Sequence, residues 1–210
     1  MAKIYDVFKI PIYETHLDLD NKKLLDWCLD YEQKNEANDF QKSNKGGYQS
    51  DNLLFLNDNF LNPLINELEK HATLFSFQKN KQRVINMWFN INRYKDYNSE
   101  HTHPFSVYSG SYYIKTPKNS GSLNFLHPSY DILGWWSNIS DEHSSSYYHT
   151  NNWIEPQEGT LVLFPSWLHH RVLANENKTE ERVSVAFNTQ SILQMQRMRD
   201  TIDTRMGILK

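Results

Sequence analysis

The stretch HTHPFSVYSGSYYI, residues 101–114, sets His101 and His103 one residue apart at the entrance to an apolar, aromatic segment. In an extended strand, residues i and i+2 point to the same face. Two imidazoles side by side offer two nitrogen lone pairs, a donor set that suits a divalent transition metal. The same spacing also fits two solvated histidines on a loop, so the pair needs a third ligand from elsewhere in the chain. FPSWLHHRV offers His169 and His170. Neighbours on a strand face opposite ways, so one of the two points inward. Counted back from Val172, His170 shares the inward face and lies opposite Arg171, which favours His170. The phase across Pro165 is not fixed by spacing, so His169 stays open at this point.

Arg182 opens a second motif, RVSVAFN, twelve positions after His170. It shares a strand face with Ser184, Ala186 and Asn188, while Val183, Val185 and Phe187 take the other. The apolar face is the one a core would bury, so the polar face looks into a cavity. A guanidinium beside a hydroxyl there makes a donor-rich seat for a carboxylate. Taken alone, Arg182 reads equally well as a solvated or ion-paired strand arginine.

These groups must be positioned by a run of strands. RVINMWFNINRY alternates, with Val84, Asn86, Trp88, Asn90 and Asn92 on one face and Ile85, Met87, Phe89 and Ile91 on the other. SVYSGSYYIKT and GSLNFLHP follow, joined by the turn PKNSG. GTLVLFPSWL, HHRVLAN and ERVSVAFNTQ supply three more strands. Residues 127–156 form a long connection, of the kind that often serves as a lid. Its Trp135, Trp136, Tyr147, Tyr148 and Trp153 are the expected apolar wall for a substrate, or else a plug on one end of the fold. Before the strands, DVFKIPIYETHL reads as an opening strand with Pro11 at an edge position. Asp20 caps a helix over 21–36, with Leu24, Leu25 and Cys28 on one face. DFQKSNKGGYQS is a loop, and NDNFLNPLINELEKHATLFSF a second helix carrying Pro63 in its first turn. A C-terminal helix over 191–207 shows an apolar stripe of Ile192, Met195, Met198 and Ile202, expected to pack on the domain or on a second subunit. The order implies an α+β chain, mainly β, in one domain over 1–210. An N-terminal strand and helices (1–80) precede a core that is an antiparallel sandwich or barrel (83–190) and a C-terminal helix (191–210).

Composition narrows the function. The 22 Lys and Arg against 25 Asp and Glu leave a net charge of -3, without the basic excess of a nucleic-acid binder. One cysteine, Cys28, excludes an intrachain disulfide and points to a reducing compartment such as the cytoplasm. No window approaches the ~20 apolar residues of a membrane helix, and the N-terminus lacks the apolar core of a signal peptide. Aromatic residues make up 14% of the chain, so much of its hydrophobicity is in rings that line pockets as readily as cores.

Together the motifs resemble those of Fe(II)- and 2-oxoglutarate-dependent oxygenases, whose signature is H-x-[D/H], a distal His, and Arg-x-Ser about ten residues later. GGYQS, NINRYKDYNSEHTHP, SGSYYI, EGTLVLFPSWLHHRV and ERVSVAFN look like consecutive motifs of one group of these enzymes, found in marine bacteria and their phages and related to prolyl hydroxylases. The resemblance runs from FKIPIY to AFN. It implies a double-stranded β-helix, a jelly-roll or cupin-like barrel with the N-terminal helices packed on it. It implies Fe(II) as the metal, 2-oxoglutarate as cosubstrate, and hydroxylation with release of succinate and CO2.

Carried over residue by residue, His101 and His170 match the first and distal ligands, and His103 stands where the family usually has Asp. Arg182 matches the arginine on the distal carboxylate of 2-oxoglutarate, with Ser184 as its partner and Tyr113 reaching the same carboxylate. Ser109 and Ser111 share the Tyr113 face, Ser109 being counted with the cosubstrate set. Asn90 and Asn92 are assigned to the chelating end. No catalytic residue is expected beyond the metal site. The implied substrate is a small molecule or a protein side chain, with a homodimer allowed by the C-terminal stripe. Two other readings stay open: a cupin-type three-histidine iron enzyme that uses no 2-oxoglutarate, and a catalytically silent barrel that only binds.

Overall fold

The computed structural model describes residues 3, 9–38, 43–76, 80–132 and 151–205. Helix α1 (Asn21–Lys34) starts where the Asp20 side chain accepts from Lys23 N. That bond satisfies one of the orphan donors of the first turn. Helix α2 (Asn62–Phe75) has Pro63 in its first turn, where no backbone N–H is needed. Leu64, Leu68, Ala72 and Phe75 recur at helical spacing and are all buried. Full burial of each leucine contributes roughly 2 kcal/mol.

Among the described residues, eleven strands form two antiparallel sheets. They are β1 (Tyr13–His16), β2 (Asn44–Lys45), β3 (Tyr48–Gln49), β4 (Gln82–Asn92), β5 (Tyr97–His101), β6 (Tyr108–Lys115), β7 (Leu123–Leu126), β8 (Asn151–Ile154), β9 (Thr160–Pro165), β10 (His170–Val172) and β11 (Arg182–Ser191). One sheet has the order β1-β9-β6-β11-β4-β3 and the other β2-β5-β10-β7-β8. From β4 to β11 the chain alternates between the sheets, staying in one only for the β7–β8 pair. This is the winding of a double-stranded β-helix.

Alternation then sorts the larger sheet into two faces. Met87, Phe89, Ile91, Tyr112, Ile114, Leu161, Leu163, Val183, Val185 and Phe187 join the helix residues in the main core. The opposite face turns toward the smaller sheet. There Tyr113, Leu123, Phe125, Val162, Phe164 and Leu168 make a second, smaller cluster. The polar residues of β4 and β11 share that inner space.

Several expectations are corrected. Strand β4 carries a bulge: Asn188 faces Asn86, but Thr189 faces Val84. The extra residue reverses the alternation, so Val84 joins the main core instead of the Asn86 face. The expected 127–156 connection contains β8, paired to β7. Within the 39–50 loop, β2 and β3 pair with opposite sheets across Gly46 and Gly47. At Gly47 an added Cβ would lie 2.6 Å from Ile91 O and 2.7 Å from Asn92 Nδ2, so only glycine lets the chain run this close to β4. The opening strand is limited to β1 among the described residues. A 3-10 turn over Asn59–Leu61 precedes α2. Helix α3 (Ile192–Arg205) leaves Met195 and Met198 of the expected stripe exposed, while Ile192 is half-buried. Among the described residues, no helix is long and apolar enough to cross a membrane.

Candidate metal centre

Registered pairs across β4, β11 and β6 lay the inner face out as rungs. Asn92 faces Arg182; Asn90 faces Ser184, which faces Tyr113; Trp88 faces Ala186, which faces Ser111; Asn86 faces Asn188, which faces Ser109. Successive rungs stand about 6.6 Å apart along the strands. The opposite wall comes from the smaller sheet, where His170 of β10 lies directly across from His101 of β5. His103 lies beyond the end of β5, and its backbone N–H donates to Ser166 O at 2.9 Å.

The chain thus brings His101, His103 and His170 together, with one ring nitrogen of each within 4.8 Å of the others. The Nε2 atoms of His103 and His170 are 3.3 Å apart. Two nitrogens bound side by side to one ion at about 2.1 Å would stand about 3 Å apart. His101 Nδ1 bonds Ser99 O at 2.7 Å, and His170 Nδ1 bonds Leu168 O at 2.9 Å. A carbonyl accepts only, so each Nδ1 carries the proton and each Nε2 keeps its lone pair. Burial pushes the His101 imidazolium below the ordinary range. Burial, with His101 alongside, takes His103 down to about 3. Burial and its two neighbours put His170 well below the ordinary value. Three neutral imidazoles facing one point fit a divalent metal. His169 points outward, its Nδ1 2.9 Å from Glu100 Oε1.

Behind the histidines lies a cavity of about 520 Å³, counted out to its mouth, lined among others by Trp88, Asn90, Asn98, Tyr113, Arg182 and Ser184. Arg182 is 1% exposed. Its Nη1 donates to Ser120 O at 2.8 Å and Gly121 O at 3.1 Å, and its Nη2 to Asn92 Oδ1 at 2.8 Å. Burial lowers the guanidinium to about 10, so it keeps its charge at neutral pH. Burial raises the Tyr113 phenol, which stays a protonated donor. Arg182 Nε and Asn90 Oδ1 are buried without a hydrogen-bond partner among the described residues. A fixed, buried cation with an unpaired N–H is chemically suited to a carboxylate.

The remaining sequence candidates fall differently. Asn92 does not line the cavity; it holds Arg182, and its own Nδ2 donates to Asn44 Oδ1 at 3.3 Å. Ser109 lies two rungs from Ser184, about 13 Å along the sheet, and its hydroxyl is engaged by Ser166 and Asn188. Trp153 is 58% exposed. It pairs with Asn124 on the outer face of its sheet, so it does not face the histidines. Trp135, Trp136, Tyr147 and Tyr148 lie outside the described residues. Asn98, absent from the expected set, lines the cavity. Four residues of β5, Asn98 to His101, lie opposite three of β10, His170 to Val172, and this bulge brings Asn98 to the histidine face against simple alternation. Only the irregular spacing of polar residues in YNSEH hinted at it.

Comparison with known proteins adds to this geometry. Residues 86–188 match the profile of a family described as "Putative 2OG-Fe(II) oxygenase". No curated protein sequence matches. Among solved structures, a Pseudomonas putida prolyl-4-hydroxylase is similar with a TM-score of 0.61 and 13% identity, over 87% of this chain and 93% of that one. The non-heme alpha ketoglutarate dependent epimerase SnoN from nogalamycin biosynthesis gives 0.64 at 11% identity, over 87% and 77%. HygX from Streptomyces hygroscopicus, with nickel and 2-oxoglutarate bound, gives 0.59 at 10% identity, over 87% and 84%. At these identities the structural likeness establishes the shared fold.

Proposed function

We propose that the chain, whose residues 86–188 match the profile of a family of 2-oxoglutarate- and Fe(II)-dependent oxygenases, is a hydroxylase of that family acting at His101, His103 and His170. Its metal is Fe(II) and its cosubstrate 2-oxoglutarate. One observation carries the proposal: three neutral imidazoles converge on one point beside a cavity that ends in a buried guanidinium with a free N–H. When bound, iron and 2-oxoglutarate supply the activation of O2, so that 2-oxoglutarate, O2 and a substrate C–H give succinate, CO2 and a C–OH.

The chain's own residues do the positioning. His101 and His170 are fixed in tautomer and orientation by the Ser99 and Leu168 carbonyls. Arg182 takes the distal carboxylate through Nε, held in place by Asn92 and two turn carbonyls, while Ser184 and the protonated Tyr113 donate from the neighbouring rung. Asn90 and Asn98, the two asparagines that line the cavity, would meet the chelating end. Phe164, Leu123 and Val172 exclude water from the inner wall. With His103 in place of a carboxylate, the ligand set adds no charge, and the metal keeps its full double charge toward the cosubstrate.

Anaerobic loading with Fe(II), followed by addition of 2-oxoglutarate and O2, tests the reading. One iron per chain and succinate matched by CO2 are expected. Iron bound at the histidines without 2-oxoglutarate binding would favour the three-histidine enzyme that uses no cosubstrate. No stoichiometric metal would leave a binding barrel.

A further inference from the structure

A second space adjoins the histidines on the side away from Arg182. It measures about 870 Å³ to its open mouth and shares Ser43, Trp88, His101 and His103 with the inner cavity. Its lining is otherwise Gln49, Asn86, Ser99, Glu100, Thr102, Pro104, Ser106 and Asn188. Apart from the neutral histidines, Glu100 is the one ionisable side chain among these residues, and its carboxylate is already bonded to His169. Among the described residues that line it, no side-chain cation would balance an anion.

The last rung of the inner face gives this cleft a direction. Asn188 Oδ1 accepts from Ser109 Oγ at 2.6 Å. Since the Ser109 hydroxyl has one proton, its 2.9 Å bond to Ser166 Oγ is donated by Ser166. Asn188 Nδ2 then donates to Asn86 Oδ1 at 2.8 Å. Ser166, Ser109 and Asn188 are all buried. The donor order therefore runs Ser166, Ser109, Asn188, Asn86. It ends with the acceptor of Asn86 occupied and its Nδ2–H donors left for the cleft. Gln49, half-buried on β3 opposite Asn90, adds a second amide at the same mouth.

Resting on the oxygenase reading above, we propose that this cleft is the substrate site and that it takes an uncharged, amide-bearing substrate, with Asn86 as the specificity-determining donor. An amide carbonyl accepts from Asn86 Nδ2. Trp88 supports the neighbouring carbons next to the histidines. A carboxylate held at Asn86 meets the Glu100 charge and, among the described lining residues, no side-chain cation, so an amide is preferred there.

The test uses the iron-loaded full chain with 2-oxoglutarate. The probes are N-acetyl amino-acid N-methylamides of asparagine and glutamine, set against their aspartate and glutamate counterparts. Succinate release is read over the probe-free rate. The amide probes are expected to stimulate at least about threefold more than the carboxylate probes, the size one well-placed hydrogen bond supports. Asn86→Asp keeps the acceptor that Asn188 needs and replaces the donor facing the cleft with a carboxylate. It is expected to raise KM for the amide probes about tenfold. Gln49→Glu, at a half-buried position, shifts the preference in the same direction and serves if the first variant fails to fold. Equal stimulation by carboxylate probes, no stimulation by any probe, or an unchanged preference in both variants would overturn the proposal. If iron or 2-oxoglutarate fails to bind before any probe is added, the oxygenase reading itself has failed.

Discussion

The two faces of β11 are almost equally buried and do opposite work. On the outer face Val183, Val185 and Phe187 are at most 2% exposed, and on the inner face Arg182, Ser184 and Asn188 are at most 7% exposed. The outer side chains meet α1, α2 and their own sheet, and their needs are met by contact alone. The inner ones require hydrogen bonds, and among the described residues Arg182 Nε and, one rung along, Asn90 Oδ1 stay unpaired. Burial therefore does not separate core from site in this fold; unsatisfied polar atoms do. A buried donor and a buried acceptor without partners are unfavourable, and a ligand that pairs them relieves the cost. Inner-face changes should accordingly disable binding and leave the fold standing, while outer-face changes should do the reverse.

The largest separation is expected from His170→Ala. Loss of a metal ligand should cost more than the roughly 10–100-fold that loss of an outer partner costs, so stoichiometric iron and succinate release should both disappear. The circular-dichroism melt of the metal-free variant should match that of the metal-free parent. A variant that still binds one iron per chain would remove His170 from the site. Phe187→Ala is the outer counterpart. It leaves a cavity against Gly110, where the Phe187 ring now packs so closely that an added Cβ would lie 2.6 Å from it. Urea unfolding should show a loss of about 3–5 kcal/mol. Cosubstrate affinity of the protein that remains folded should stay within about twofold, since the residue does not touch the cavity. A large affinity change would mean that the faces are not independent.

Arg182→Lys keeps the charge and removes the fork. The ammonium cannot reach Ser120 O, Gly121 O, Asn92 Oδ1 and a carboxylate together, so 2-oxoglutarate affinity should fall about 10–100-fold by calorimetry. An unchanged affinity would mean that the arginine only closes the fold. Gly47→Ala probes the same clamp from behind. Its Cβ would press on Ile91 O and on the Asn92 amide that holds Arg182. Overpacking there should cost about 1–3 kcal/mol of stability and raise the 2-oxoglutarate KM severalfold. A stability loss with no change in KM would break the link from Gly47 through Asn92 to the cosubstrate.

How much of this was legible in the sequence follows from the regularity of the strands. Where alternation is unbroken, as from Asn86 to Asn92 and from Arg182 to Asn188, the face assignments could be made from the residues, and the jelly-roll order of strands with them. Bulges defeated the rest. One between Val84 and Asn86 moved Val84 to the core, and one between Asn98 and His101 brought an unexpected amide into the cavity. Ser109 was assigned to the cosubstrate by its face alone. Sharing a face with Tyr113 says nothing of the two rungs that separate it from Ser184, a distance that only strand register reveals. Trp153 sits in a four-residue strand that sequence reading had merged into a loop, so its outward direction could not be foreseen.

The smallest expected effect lies on the outer side, at His71 of α2. Its Nδ1 is 2.7 Å from the Tyr13 hydroxyl and its Nε2 3.4 Å from Glu67, with Lys70 beside it on the same helix. Burial first, and Lys70 second, hold its folded-state imidazolium below the ordinary range, with Glu67 opposing them. Below about pH 6.5 the unfolded chain takes up a proton at this residue that the folded chain resists, so stability from His71 is complete above that pH and is lost on acidification. In the iron-loaded protein, His71→Gln should flatten the fall of the melting temperature between neutral pH and pH 5 relative to the parent. Activity at neutral pH should be unchanged, because His71 lies on the helix side of the larger sheet. A variant that melted with the parent's full pH slope would assign the acid sensitivity to other groups. One that lost cosubstrate binding would show that the helix side is coupled to the inner face after all.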